Sequence, residues 1–300
     1  MSMNLRHAAT LMLLTCLFGS GCSFSVGLSQ QQKAAVADFG NSTAAIGTSI
    51  PQELTSMRDR TVRMRIDELN VIYPVPKQWP DYQHLDKDFE PASLQQRIAA
   101  SQALAAYGNL LEKLATSSDA SDLNQAVSNF QSSVNTLAQK SLSTQQIDAV
   151  GEAVRVVAGI YIERKRAEAL KTIVEDTHDQ TNALCGLLAV DFDPNGGNLM
   201  SAVKLAAMRL EEDADNHLKK VGNSHPQDYG ALVKLYWEGA ENAVYVEKVG
   251  GSMVSAITQI QKANDNLLKA LQAPEFAFES PTELEADVKG IQAWTAILKN

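Results

Sequence analysis

The feature that most constrains this chain is a regular spacing of three and four residues between positions 229 and 271. Apolar and small residues at that spacing fall on one side of an α-helix, as in the seam of a coiled coil. The seam consists of Tyr229, Leu232, Tyr236, Gly239, Ala243, Val246, Gly250, Met253, Ile257, Ile260, Asn264, Leu267 and Leu271. At about 1.5 Å per residue, a helix carrying this seam would be about 65 Å long. Such a length predicts an elongated bundle rather than a compact globule.

Two features of the seam leave alternatives open. Gly239 and Gly250 would let a neighbouring helix approach closely, but the pair Gly250 and Gly251 is also typical of a helix kink. Asn264 is a polar residue on the seam. It either fixes the register of a buried contact or points to water at a frayed helix end.

Composition and capping signals extend the helical prediction to the rest of the chain. Aromatic residues make up 6% of it, and alternating runs rich in Val, Ile and Thr are absent, so strands are not predicted. Candidate helix starts of the form Ser-x-x-Glu or Ser-x-x-Gln begin at Ser49, Ser93, Ser143, Ser224 and Ser280. The predicted helices cover residues 30–49, 51–72, 92–117, 120–141, 144–188, 198–221, 225–272 and 281–298, the first two being one helix if Pro51 only kinks it. We therefore predict an all-α fold, an elongated antiparallel helical bundle with long coiled-coil-like helices.

Residues 73–91 are predicted to be an extended segment, because they contain four of the nine prolines. They also contain aromatic residues, including Trp79 and Tyr82. One interpretation is a strap that covers the bundle, and the other is a loop in which Trp79 and Tyr82 bind a partner. Arg58 and Arg65 belong to a nearby cluster of four arginines. They are either paired with local acids or part of a docking patch for an acidic partner.

The start of the chain combines Arg6 with an apolar run of 11 residues at positions 8–18, whereas a membrane-spanning helix needs about 20 residues. This combination predicts a signal peptide. The Gly-Ser-Gly-Cys-Ser sequence that follows, with its cysteine at Cys22, resembles the lipobox of bacterial lipoproteins. The resemblance implies that residues 1–21 are removed and that Cys22 is acylated by diacylglycerol. Ser23, by the same resemblance, implies sorting to the outer membrane.

The lipoprotein hypothesis divides the chain into a signal peptide at 1–21, a lipidated tether at 22–33 and a helical bundle domain at 34–300. It places the protein in the bacterial cell envelope, held to a membrane by lipid and facing the periplasm. The alternative is a soluble secreted protein, because Gly19 and Gly21 also satisfy the small-residue rule for ordinary cleavage.

Charge and cysteine content narrow the possible partners. Removal of residues 1–21 takes away Arg6 and no acid, which leaves 25 Lys and Arg against 35 Asp and Glu. A chain this acidic is not expected to bind nucleic acid. Cys185 has no disulfide partner if Cys22 is acylated, and its apolar neighbours predict a buried, unreactive thiol.

One partial motif suggests a metal. Asp191, Asp193 and Asn195 precede Gly196 with the spacing of the first half of an EF-hand calcium loop. The twelfth position of that loop is Ala202 instead of the usual glutamate. An ordinary turn between helices accounts for the same residues, because Asp, Asn and Gly favour turns. No other metal or cofactor is predicted.

Motifs of known enzyme classes are absent from the sequence, including the nucleophile elbow, the phosphate-binding loop and the dinucleotide fingerprint. We therefore expect no enzyme and no small-molecule substrate. The expected function is a membrane-anchored periplasmic lipoprotein that binds or scaffolds another envelope protein. The alternatives are an immunity or inhibitor lipoprotein against a toxin, a helical membrane-active protein, and an enzyme whose site has no recognised motif.

Overall fold

A computed structural model describes residues 28–71, 82–141, 163–221, 226–273 and 281–298. Within these ranges the regular structure is helical and contains no strand. The helices are α1 (Gln30–Val71), α2 (Pro91–Thr116), α3 (Ala120–Ser141), α4 (Glu163–Phe192), α5 (Leu199–Val221), α6 (Pro226–Tyr245), α7 (Gly251–Gln272) and α8 (Pro281–Leu298). A 3₁₀ turn at Tyr82–His84 precedes α2, and a π turn at Val246–Gly250 joins α6 to α7. The predicted all-α helical bundle is confirmed.

Helix α1 continues through Pro51, so the two helices predicted on either side of that proline are one. Ser49 is therefore not a helix cap. Its hydroxyl lies inside α1 and donates a hydrogen bond to the carbonyl of Ile46 at 2.9 Å. Because α1 begins at Gln30, the last four residues assigned to the tether are helical.

The predicted cap at Ser93 is also wrong, because α2 begins two residues earlier, at Pro91. A proline suits the first helical turn, where its missing N–H group would have no partner within the helix. The hydroxyl of Ser93 accepts a hydrogen bond from Arg97 instead. The capping serines Ser143, Ser224 and Ser280 and the first part of the helix predicted for 144–188 lie outside the described residues.

Helices α1 and α2 run antiparallel with their backbones in close contact. A Cβ atom added to Gly40 would lie 2.5 Å from the carbonyl oxygen of Gly108, and one added to Gly108 would lie 2.4 Å from that of Gly40. Further along the same crossing, a Cβ atom at Gly47 would lie 2.7 Å from the carbonyl oxygen of Ser101. Side chains larger than hydrogen would therefore hold the two helices apart.

The long seam is present on α6 and α7. Its positions from Leu232 to Leu271 are buried or half-buried, whereas Tyr229 at its start is 53% exposed. Gly250 allows a neighbouring helix to approach closely and also lies at an irregularity of its own helix, so both alternatives considered for it hold. An added Cβ would lie 2.8 Å from the carbonyl oxygen of Phe192, and the same glycine ends the π turn. The irregularity of the long helix thus occurs where the backbone at the end of α4 comes close.

Asn264 is fully buried, so the frayed-end interpretation is wrong. Its side-chain oxygen accepts a hydrogen bond from the hydroxyl of Tyr107 on α2 at 2.7 Å. Its amide group donates to the side-chain oxygen of Asn182 on α4 at 3.3 Å. The residue therefore connects α7 to two neighbouring helices and fixes their register.

The helices assemble along α1, which is about 63 Å long at 1.5 Å per residue. The first half of α1 packs against α2 and α8, and its second half packs against α5 and α6. Helices α4 and α8 flank α7, while α3 packs on α2. This arrangement leaves the hairpin of α5 and α6 at one end of an elongated bundle.

Candidate functional site

The structure places two predicted partner-binding residues, Arg58 and Arg65, against residues 82–90, here called the strap. Arg58 donates to the carboxylate of Asp86 from Nε at 3.1 Å and from Nη2 at 2.6 Å. This pairing lowers the pKa of Asp86. Arg65 pairs with Asp88. The strap is therefore fastened to α1 by arginines of α1 itself.

Of the aromatic residues of the proline-rich segment, Phe89 and Tyr82 lie within the described residues and Trp79 does not. Phe89 is 1% exposed, so the end of the strap contributes to the core. Tyr82 begins the 3₁₀ turn. Trp79 lies outside the described residues. The contacts of the strap favour a covering role, and partner binding by Trp79 and Tyr82 stays a prediction.

The three candidate calcium ligands have other partners within the fold. The buried carboxylate of Asp191 accepts hydrogen bonds from Arg97 at 2.6 and 2.8 Å. Burial raises the pKa of Asp191, and Arg97 acts against that rise. The carboxylate of Asp193 accepts a hydrogen bond from the backbone N–H of Asn195 at 2.8 Å. The side-chain oxygen of Asn195 accepts a hydrogen bond from Lys204 at 3.0 Å. These contacts hold a turn and an ion pair, while calcium binding by this loop stays a prediction.

The described ranges contain neither a metal-binding cluster nor a membrane-spanning helix. There, no three His, Cys, Asp or Glu side chains lie close enough together to hold a metal ion. In the same ranges, none of the helices is both long enough and apolar enough to cross a bilayer. Cys22 lies outside them, so its lipidation stays a prediction. Cys185 is buried, and burial raises the pKa of its thiol to about 12, as expected of an unreactive cysteine.

A chain of polar side chains links α2, α4 and α7 from the core to the surface. It begins with the contacts of Tyr107, Asn264 and Asn182 described above. Asn182 then donates to Asp265 at 2.8 Å, and Nε2 of His178 lies 2.7 Å from the same carboxylate oxygen. Burial opposes ionisation of Asp265, but the hydrogen bonds from Asn182 and His178 lower its pKa overall. Because the members of the chain bond to one another, we interpret it as structural.

The hairpin of α5 and α6 exposes a group of large apolar side chains. On α6, Trp237 is 61% exposed and Val244 is 66% exposed, and they lie two helical turns apart on the same face. On α5, Leu205 and Met208 are 48% and 52% exposed. Trp237 meets the ring of Tyr236 edge-on, with ring centroids 6.1 Å apart. Of the eight large apolar side chains that the described residues expose, five lie on these two helices, and a concentration of this kind is typical of protein interaction surfaces.

A groove of about 560 Å³ lies between these two helices and is here called the α5–α6 groove. It is lined by the apolar or aromatic residues Met208, Leu218 and Tyr236 and by the acidic residues Glu211, Glu212 and Asp215. The helices meet closely beside it, because Gly239 places no side chain against the backbone of α5. Asp215 pairs with Lys219. Among the described residues, neither Glu211 nor Glu212 forms a hydrogen bond or ion pair.

Acidic residues also gather where α1 meets this hairpin. Burial raises the pKa of Glu68, and the nearby carboxylate of Asp213 adds to the rise. Burial likewise raises the pKa of Glu238, with a further contribution from Asp67. Neighbouring arginines and a lysine oppose both rises. Glu68 and Glu238 are therefore partly buried carboxylates with both acidic and basic neighbours at the same end of the bundle as the groove.

No family model, curated protein or solved structure matches this chain.

The sequence analysis did not single out the residues of the α5–α6 groove. A signal was present on α6, because Trp237 and Val244 each follow a seam position and thus lie off the buried stripe. A large apolar residue off the stripe of an amphipathic helix is a candidate for surface exposure. The contribution of α5 required the pairing of the two helices to be known.

Proposed function

We propose that this protein is a membrane-anchored lipoprotein of the bacterial envelope that acts, without catalysis, as a binding or scaffold protein for another envelope protein. The anchor is the expectation drawn from Cys22 and the lipobox resemblance. The observation that supports the binding role is the surface of the α5–α6 hairpin. There Trp237, Val244 and Met208 are each more than half exposed, Met208 lines the groove, and the ring of Trp237 contacts Tyr236 of the groove wall. Tryptophan is among the residues that most often dominate the energy of protein interfaces.

The position of this surface suits an anchored scaffold. Arg60 of α1 lies 3.9 Å from the ring centroid of Tyr245, and Asp67 is near enough to Glu238 to raise its pKa. Asp67 follows the first residue of α1 by 37 positions, so this level of the hairpin is about 55 Å along the helix. The predicted anchor precedes α1 by only eight residues. A bundle standing on its anchor would therefore carry the groove well away from the membrane surface.

Site-specific cross-linking tests the proposal in bacterial cells that produce the full chain. A photoreactive amino acid at Met208 should yield one discrete adduct with an envelope protein, recovered in the membrane fraction. The control position is Gln131, which is exposed on α3, a helix that packs against α2 and not against the hairpin. The control should yield no such adduct.

The anchor is tested in the same cells. Cys22→Ser should leave the precursor without acyl label and with its signal peptide still attached, and should reduce the yield of the Met208 adduct, since the protein would no longer be delivered to its partner. Absence of an adduct at Met208, or equal adducts at Met208 and Gln131, would contradict the proposed function.

A further inference from the structure

The walls of the α5–α6 groove indicate the chemistry of its occupant. We propose that the groove binds a basic amphipathic helix of the partner protein, an inference that rests on the proposed binding function. The partner helix would place its apolar side chains against Met208, Leu218 and Tyr236. Its lysine or arginine side chains would face Glu211 and Glu212.

The charge of the groove excludes an acidic occupant and favours a basic one. Three of the six described residues that line it are carboxylates, and none of the six is a lysine or arginine. Lys219 neutralises Asp215, which leaves Glu211 and Glu212 available to an incoming cation. Complementary charge of this kind speeds association and discriminates against wrong partners.

The shape of the groove fits a helix. Met208 and Leu218 are ten residues apart on α5, so the α5 wall of the groove extends for about 15 Å, with an apolar side chain at each end and carboxylates between them. An amphipathic helix that uses side chains at positions i, i+4 and i+7 makes contact over about 10 Å. The exposed ring of Trp237, which touches Tyr236 at the groove, offers a face for a lysine or arginine of the same helix.

A second copy of this chain fits the groove less well. A symmetric dimer would use the same patch on both copies and would bring the carboxylates of one groove against those of the other. Like charges placed together in an interface oppose association. The occupant is therefore assigned to a partner whose charge is opposite.

Two synthetic peptides of about 18 residues test the assignment, one built from leucine and lysine and the other from leucine and glutamate in the same amphipathic pattern. Binding of each labelled peptide is measured by fluorescence anisotropy to the mature chain from residue 22, with Cys22→Ser to prevent acylation. We expect the lysine peptide to bind at least about tenfold more tightly than the glutamate peptide. Its affinity should fall at high salt, because the carboxylates of the groove are exposed or half-buried and so open to screening.

Charge reversal separates the groove from general attraction to an acidic protein. Glu211→Lys combined with Glu212→Lys should weaken binding of the lysine peptide about tenfold. Asp122→Lys combined with Glu168→Lys changes the net charge equally on exposed positions of α3 and α4. This control should leave the affinity within about twofold of wild type.

The apolar contacts of the groove are tested by Met208→Ser. The control is Leu187→Ser, at a similarly exposed position on α4. Met208→Ser should weaken binding of the lysine peptide several-fold, and Leu187→Ser should not.

The inference would be overturned by equal binding of both peptides, by binding of neither, or by equal losses of affinity in the groove variants and the control variants. A dimer of the chain that Glu211→Lys disrupts would overturn it as well, by assigning the groove to a second copy. The Met208 cross-link reports on the proposed function independently of all these results.

Discussion

The contact of Gly40 with Gly108 makes the sharpest prediction about the stability of the bundle. A Cβ atom at Gly108 would lie 2.4 Å from the carbonyl oxygen of Gly40 and 2.5 Å from the amide nitrogen of Ala44. Real Cβ atoms essentially never come within 3.0 Å of such neighbours, so Gly108→Ala must separate α1 from α2 by about 0.5 Å or more. Both neighbouring atoms belong to the backbone, so no side chain can rotate to relieve the contact.

The expected cost follows from two opposing effects. Overpacking a close-packed core costs about 1–3 kcal/mol and occasionally more. Replacing a glycine inside a helix by alanine gains about 1 kcal/mol through helix propensity. Because the clash involves backbone on both helices, we expect the upper part of the overpacking range to apply, and a net loss of about 2 kcal/mol for Gly108→Ala. Chemical denaturation followed by circular dichroism measures this change.

Gly251→Ala is the matched control, because a Cβ at Gly251 on α7 meets no atom within 4 Å. It should stabilise the protein by about 0.5–1 kcal/mol. Gly40→Ala added to Gly108→Ala should cost less than the sum of the two single changes, since either one already separates the same crossing. If Gly108→Ala proves as stable as Gly251→Ala, the close contact of α1 with α2 is refuted.

Three further predictions concern the seam, the acidic end and the anchor. Ile257 is fully buried, so Ile257→Ala should lower the free energy of unfolding by about 2–5 kcal/mol, and an unchanged denaturation curve would show that the seam is not packed. The pKa of Glu238 is raised, so its contribution to stability is present at low pH and is lost as the pH rises through that pKa. Glu238→Gln should therefore raise the melting temperature more at pH 8 than at pH 4, and an equal effect at both values would contradict the pKa shift. Cys22→Ser should leave the precursor unprocessed and without acyl label, whereas normal cleavage of the variant would show that the lipobox interpretation is wrong.

Much of the secondary structure could be predicted because it depends on local signals. The three-four spacing of the seam predicted α6 and α7. The other described helices were predicted from helix-forming composition together with the prolines and capping sequences expected to mark helix ends. Ser49 and Ser93 show where local reasoning failed. A capping sequence marks a possible helix start, but the chain around Ser49 continued as α1 because packing along its whole length stabilises the helix.

The pairing of helices could not be predicted, because it depends on contacts between distant parts of the chain. Arg58 and Arg65 illustrate the difference. Their spacing predicted either neighbouring acids or a docking patch, but their main partners are Asp86 and Asp88, more than 20 residues away. The α5–α6 groove was missed for the same reason, since its two walls come from separate helices. The register of α7 against its neighbours could not be predicted from the seam either, because it depends on the hydrogen bond between Asn264 and Tyr107 of α2.

The way polar groups are satisfied separates the parts of this protein that support the fold from the part that suits recognition. A buried charge without a partner destabilises the fold. The buried carboxylate of Asp191 avoids this cost because it pairs with Arg97 of the same chain. The hairpin differs, because Glu212 and the ring of Trp237 are exposed and the other described helices leave the groove beside them uncovered. Exposing a tryptophan gains nothing for folding, since burial of the same ring would stabilise the bundle. A segment from another protein would bury that ring and neutralise the carboxylate together, which is why we assign recognition to this end of the bundle and structural roles to the polar groups of its core.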